Sequence, residues 1–266
     1  MSAYVTVKPW EHAQTIHPAI WVVEIANPAK LNAMTRSMWQ QLRAVFEEIQ
    51  QSSQVRCVVV QGAGAAFCAG GDISEYPDFR FEPSSLAAFH EQDVWGGLQA
   101  MLSCDVPLVA NISGACMGAG VEIASCCDVR LVQGGAQFGA PIAKLGFPMA
   151  PKELQLVTAS VGLHTAKRML LEAAIFSAQD MADTGWCAQP LSATEQAKQV
   201  WRTVQRIAAL APQAARLNKQ TLRALGAGRA PEQAYGYAAS AEHREGVAAF
   251  LAKRPARFDD MEPSKA

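Results

Sequence analysis

The sequence predicts an α/β fold with a helical C-terminal region, and three observations predict it. Runs of β-branched and aromatic residues alternate with helical periodicity in the opening third. Two strongly apolar, strand-like runs each open into a glycine-rich turn. The last part of the chain consists of alanine-rich stretches with helical spacing.

Taken in order, residues 19–26 read as a strand rich in β-branched and aromatic residues, stopped by Asn27 and Pro28. After a loop over residues 29–33, Thr35 is placed to cap a helix. Its apolar positions Met38, Leu42, Val45, Phe46 and Ile49 share one face, while Arg36, Gln40, Glu47 and Glu48 lie outside it. Residues 54–61 form a second, more deeply buried strand, giving β, helix, β with room for a crossover. Residues 76–83, with Phe79 and Phe81, read as a loop, and Ser84 then caps a helix through Met101 and Leu102 that Gly96 and Gly97 weaken. His90, Glu91 and Asp93 on that helix are candidates for a catalytic side chain. An isolated histidine on an apolar helix is more often packed in a core or interface, so none of them is assigned a role. Further helices are expected over residues 164–174, after a Ser177 cap, and over 193–210, 212–225 and 231–252.

The two glycine turns carry the chemistry. The first runs from Gly62 to Ile73. Gly62 and Gly64 start like a dinucleotide-binding loop, but Phe67 stands at the third glycine position and Gly70 and Gly71 break any helix there, so that reading is weak. Asp72 suits a cap on the short segment after it. The second turn, with Gly114, Gly118 and Gly120, opens an apolar helix that carries Glu122 in its first turn. Small residues let a ligand approach the backbone, a helix start offers free N–H groups, and a carboxylate stands one turn away. Such a site suits an enzyme that forms an oxyanion beside an acid or base. Packing glycines and a dipole-partnering glutamate would look the same.

Residues 67–73, 114–122 and 138–141 together resemble the crotonase superfamily, the enoyl-CoA hydratase and isomerase family. Residues 27–33 and 245–258 are similar to that family's opening and closing signatures, so the resemblance spans almost the whole chain. It implies a spiral of β-β-α turns over residues 1–200 and a C-terminal helical region, 201–266, that makes subunit contacts and completes the CoA site. It further implies an acyl-CoA substrate, no cofactor beyond the coenzyme A of that substrate, and homotrimers commonly paired into hexamers. The backbone N–H groups of Gly71 and Ala119 match the two oxyanion-hole donors for the thioester carbonyl, and Glu122 matches an acid or base. Ala29, Lys30, Ala33, Ala69, Asp72, Ile73, Gly118, Pro141, Ile142 and Lys253 match positions that contact the acyl-CoA, with Lys253 reaching CoA phosphate, often from a neighbouring subunit.

One departure narrows the chemistry. Hydratases of this family carry a second glutamate where this chain has Ile142, and the glycine pair that usually follows is replaced by Lys152, Glu153 and Leu154. An isoleucine neither holds water nor exchanges a proton. Water addition loses half its usual apparatus, leaving isomerisation, hydration helped by another group, thioester hydrolysis or decarboxylation, or a CoA-binding subunit without catalysis. Glu153 is a conceivable substitute, but Pro151 at the first position of a helix makes it better explained as a dipole partner in the first turn.

Composition sets the outer bounds. The 266 residues are 50% hydrophobic with a formal net charge of -1, enough apolar material for a sizeable core. Basic residues are scattered, so a nucleic-acid partner is not expected. The start lacks a basic-then-apolar signal pattern and no stretch has the uncharged length of a membrane span, so the expected location is the cytoplasm. The seven cysteines are odd in number, lack a CxxC pair and have no histidine at ligand spacing; buried reduced thiols and no metal are expected.

Overall fold

The structure, a computed structural model, describes residues 3–231 and 234–258. Its strands are β1 (Tyr4–His12), β2 (Thr15–Ala26), β3 (Cys57–Gly62), β4 (Leu108–Ile112), β5 (Ala115–Met117), β6 (Val129–Val132), β7 (Gln137–Gly139) and β8 (Phe176–Ser177). Its helices are α1 (Arg36–Gln51), α2 (Pro83–Ala88), α3 (Trp95–Ser103), α4 (Ala119–Ser125), α5 (Pro151–Val161), α6 (Leu163–Leu171), α7 (Ala178–Asp183), α8 (Ala193–Ala208), α9 (Pro212–Gly226) and α10 (Ala241–Leu251).

One sheet has the order β1-β2-β3-β4-β6, with β1 antiparallel to β2 and the others parallel; the second has the order β5-β7-β8. The central strands are apolar at successive positions because both faces are covered. Val58, Val60, Leu108 and Ala110 turn toward α1, whose Met38, Leu42 and Phe46 lie in the same core. Cys57, Val59 and Val109 turn the other way, onto Val200 and Val204 of α8. The period of two along each strand feeds two separate cores. α8 runs unbroken across the expected 200/201 division, and both of those sheet-packing valines stand beside it.

Several local expectations are met for the stated reasons. Thr35 accepts from the Met38 N–H and starts α1, and the five expected apolar positions are buried together with Trp39. Ser177 and Asp180 form a reciprocal capping box on α7. Others differ. The helix expected from Ser84 begins one residue earlier, with Pro83 at its first position after Glu82, and its middle, Phe89–Val94, is a π-helical turn. The helix expected from residue 231 starts at Ala241, capped by Ser240; residues 232–233 lie outside the described residues. Between Gly114 and Gly118 the chain inserts β5 before its helix.

α9 is tied to the sheet core by polar contacts. Arg223 pairs with Asp105 at 2.8 Å, Lys219 with Asp128 at 2.8 Å, and Arg216 donates to the carbonyls of Ser52 and Val55. All seven cysteines are free thiols, and six are buried. No helix among the described residues is long and apolar enough to cross a membrane.

Asn32 joins the loop after β2 to the turn after β3. It is fully buried, sits at φ +63° and accepts from the Asn27 N–H at 3.0 Å. Its amide donates to the carbonyls of Ala63 and Ala66, each at 2.8 Å. Asn32→Ala strands those carbonyls and puts a less tolerant residue in left-handed backbone. It should lower unfolding stability by about 3 kcal/mol, read as a shift of the urea midpoint at constant slope.

Candidate active site

The two glycine turns are sewn together by backbone hydrogen bonds. Cys68 N–H donates to Ala115 C=O at 2.9 Å, and Met117 N–H donates to Cys68 C=O at 2.9 Å. A second bridge joins the first turn to the loop after β2: Met34 N–H donates to Gly70 C=O and Asp72 N–H to Met34 C=O, both at 2.8 Å. Because that bridge uses the groups flanking Gly71, the Gly71 N–H is turned to the opposite side. In the second turn, Gly118 holds φ +48°, a conformation open to glycine, and donates to Gly139 C=O at 2.8 Å. Ala119 is then the first residue of α4, where an N–H has no intrahelical acceptor. Neither the Gly71 nor the Ala119 N–H has an acceptor among the described residues, and both line one cavity of about 380 Å³.

Glu122 enters the same cavity from the first turn of α4, only 8% exposed. Its carboxyl group accepts no hydrogen bond among the described residues. Burial, and secondarily the charge of Glu153, push its pKa up to about 8. Such a carboxylic acid keeps its proton near neutrality and still ionises within reach of ordinary pH.

Glu153 stands where the sequence reading put it, and it also faces the cavity. It does lie in the first turn of α5 after Pro151, but it is 2% exposed, lines the cavity and makes no capping bond. Its Oε1 lies 3.0 Å from His90 Nδ1, and its buried Oε2 has no partner among the described residues. His90 also lines the cavity, presented by the π-helical turn, while its neighbours point elsewhere: Glu91 pairs with Lys152, and Asp93 accepts from Arg36 and Gln40. Arg80 lies 3.4 Å from His90 Nε2 and is stacked between the rings of Tyr76 and Phe147, 4.5 and 3.8 Å from their centroids. Tyr76, Phe89 and Phe147 supply aromatic walls, whereas Phe81 of the same loop is 80% exposed. Sequence spacing fixes Glu153 at the third position of a helix; it carries no signal that this helix end faces Glu122.

Ala69, Ile73, Gly118, Pro141 and Ile142 also line the cavity. Ala29, Lys30, Ala33 and Asp72 do not; they form its neighbouring loop, where Lys30 Nζ lies 2.8 Å from both Asp72 carboxylate oxygens and 2.6 Å from Ser74 Oγ. Asp72 also caps the following turn by accepting from the Ser74 N–H. Lys253 is exposed in the turn after α10, at φ +51°, and does not line the cavity. No cluster of metal-ligating side chains occurs among the described residues.

This architecture is shared with solved structures. An enoyl-CoA hydratase/carnitine racemase from Magnetospirillum magneticum superposes with a TM-score of 0.87 at 32% identity, covering 91% of this chain and 92% of that one. A putative enoyl-CoA hydratase/isomerase family protein from Hyphomonas neptunium gives 0.86 at 27% identity over 96% and 97%. The fold is therefore that of the crotonase superfamily.

The sequence profile of the enoyl-CoA hydratase/isomerase family matches residues 15–261, and the chain belongs to that family of acyl-CoA enzymes. Among curated relatives, mevalonyl-coenzyme A hydratase SIDH of Beauveria bassiana is 32% identical over 63% of this chain and 62% of its own length, so that match spans less than two thirds of the relative. The 2,3-dehydroadipyl-CoA hydratase of Escherichia coli is 29% identical over 90% and 94%.

Proposed function

We propose that the cavity binds the acyl end of a CoA thioester, that the N–H groups of Gly71 and Ala119 hold its carbonyl oxygen as charge develops there, and that Glu122 moves the proton. The observation that supports this best is the meeting, in one largely apolar cavity, of two backbone donors that have no acceptor among the described residues and a carboxyl group whose pKa is pushed up to about 8. Donors fixed where an enolate oxygen forms are worth roughly 3–4 kcal/mol each, and the start of α4 adds its dipole in the same sense. On this reading Ala29, Lys30, Ala33, Ala69, Asp72 and Ile73 border the path of the pantetheine and nucleotide, and Gly118, Pro141 and Ile142 border the acyl group. No cofactor beyond coenzyme A is required.

Lys253 would reach CoA phosphate from a neighbouring copy. Exposed Leu222, Leu225, Val247, Phe250 and Leu251 on the C-terminal helices suit the proposed trimeric or hexameric assembly. A cytoplasmic location fits an enzyme whose buried thiols stay reduced.

Binding of acetoacetyl-CoA tests the carbonyl site. The protein should bind this enolisable thioester at least about tenfold more tightly than the matching thioether, which lacks the carbonyl, with growth of the enolate absorbance. Equal affinities and no enolate band would refute the oxyanion site.

A further inference from the structure

We propose that Glu153, oriented by His90, is the second acid–base residue of this site, and that Glu122 and Glu153 together add water across the C2–C3 double bond of a 2-enoyl thioester. The inference rests on the thioester site proposed above. On this assignment the carboxylate absent at Ile142 is supplied from another element, the start of α5.

Glu153 Oε2 is buried and makes no hydrogen bond among the described residues, while its side chain lines the same cavity as Glu122. A buried acceptor without a donor is costly, and a cavity water or substrate group would satisfy it. The other oxygen is fixed. Arginine only donates, so Arg80 beside Nε2 makes that nitrogen the acceptor and leaves Nδ1 as the N–H that donates to Glu153 Oε1. Arg80, His90 and Glu153 thus form a directed chain ending at a carboxylate oriented toward the cavity.

The scaffold supports that chain. The π-helical turn Phe89–Val94 presents His90 toward α5, and such turns occur frequently at functional sites. Lys152, next to Glu153, pairs with Glu91 of that same turn and lies 5.7 Å from the Trp95 ring centroid, pinning the start of α5 against it. A glutamate serving only the helix dipole would need none of this.

The chemistry balances within the pair. Glu153 accepts a proton from water as the water oxygen bonds to C3. The electron pair of the double bond moves onto the thioester oxygen, held by Gly71 and Ala119. The enolate then returns its electrons and takes the proton of Glu122 at C2. The sum is addition of one water, and proton exchange between the carboxyl groups and solvent restores their starting states.

Wild type, Glu153→Gln, Glu153→Asp, His90→Ala and His90→Asn should be compared for hydration of short and medium 2-enoyl-CoA substrates, with acetoacetyl-CoA binding measured alongside. We expect wild type to hydrate them and Glu153→Gln to lose about 100-fold in kcat while KM and enolate binding stay within about threefold. Glu153→Asp keeps the carboxyl and guards against a folding artefact; an equal thermal melt with a partial rate is the expected result. His90 is a positioning residue: His90→Ala should lower kcat about tenfold, and His90→Asn, which retains a donor, should recover part of that loss. A Glu153→Gln rate within threefold of wild type would overturn the proposal, as would failure of wild type to hydrate any of these substrates while still binding acetoacetyl-CoA as enolate. Absence of enolate binding in wild type would instead defeat the thioester site itself.

Discussion

Glu122→Gln is expected to lower kcat by roughly 10²- to 10⁴-fold on whichever CoA thioester the enzyme turns over, with little change in thioester affinity. The amide fits the same space beside α4 but neither gives nor takes a proton. The backbone donors of Gly71 and Ala119 are untouched, so the carbonyl should still be held. The pH profile of wild-type kcat/KM, which reports the free enzyme, should show a limb near 8, the pKa of the buried carboxyl, and the variant's residual kcat/KM should lack it. Measurement of kcat and KM from about pH 6 to about pH 9, which spans that limb, checks both points. An unchanged kcat would remove Glu122 from the mechanism.

The same substitution has a second readout in stability. The Glu122 carboxyl ionises near 4.5 when unfolded and near 8 when folded, so the folded state binds its proton more tightly. That contribution is fully present below pH 4.5 and is lost progressively as pH rises to about 8. Wild type and Glu122→Gln should therefore diverge across this window, the variant gaining roughly 3 to 5 kcal/mol relative to wild type by its upper end. Parallel denaturant titrations at the two ends of the window measure the difference.

Much of this site is legible in the sequence. Gly71, Ala119 and Glu122 stand on short turns whose glycines, preceding strands and following helix are all local features, and the structure brings these three residues to one cavity. Glu153 illustrates what local pattern does not carry. Pro151 correctly announces a helix and places Glu153 in its first turn, yet the direction in which that helix start points depends on the packing of α5 against α4 and on its side-chain contacts with the π-helical turn. The π-helical turn left no signature in the sequence, since Gly96 and Gly97 lie beyond it in the regular helix α3, so His90 read as an ordinary packed histidine. Asp93, equally plausible in the sequence, is drawn instead to Arg36 and Gln40 of α1. Long-range partners decided between the two.

Gly120→Ala should be damaging out of proportion to the one methyl group it adds. A Cβ at this position would lie 2.5 Å from Cys68 C=O and 3.2 Å from Cys68 Cβ. The closer obstacle is backbone, and it is the carbonyl that accepts the Met117 N–H joining the two glycine turns. Relief therefore requires α4 to move away from the first turn, or that seam to open. Either movement separates the Gly71 and Ala119 N–H groups and shifts Glu122, two residues further along the same helix turn. Overpacking of this kind costs about 1–3 kcal/mol in stability, and a displacement of about 1 Å at a reacting site costs about 100-fold in rate. The expected outcome is a lowered melting temperature together with a fall of about 100-fold in kcat and loss of the preference for thioester over thioether. Gly135→Ala serves as the control, because nothing lies within 4 Å of a Cβ there and its backbone is not left-handed; it should leave rate and melt close to wild type. Wild-type turnover in Gly120→Ala would mean that close approach of the two turns does not set the geometry of the thioester site.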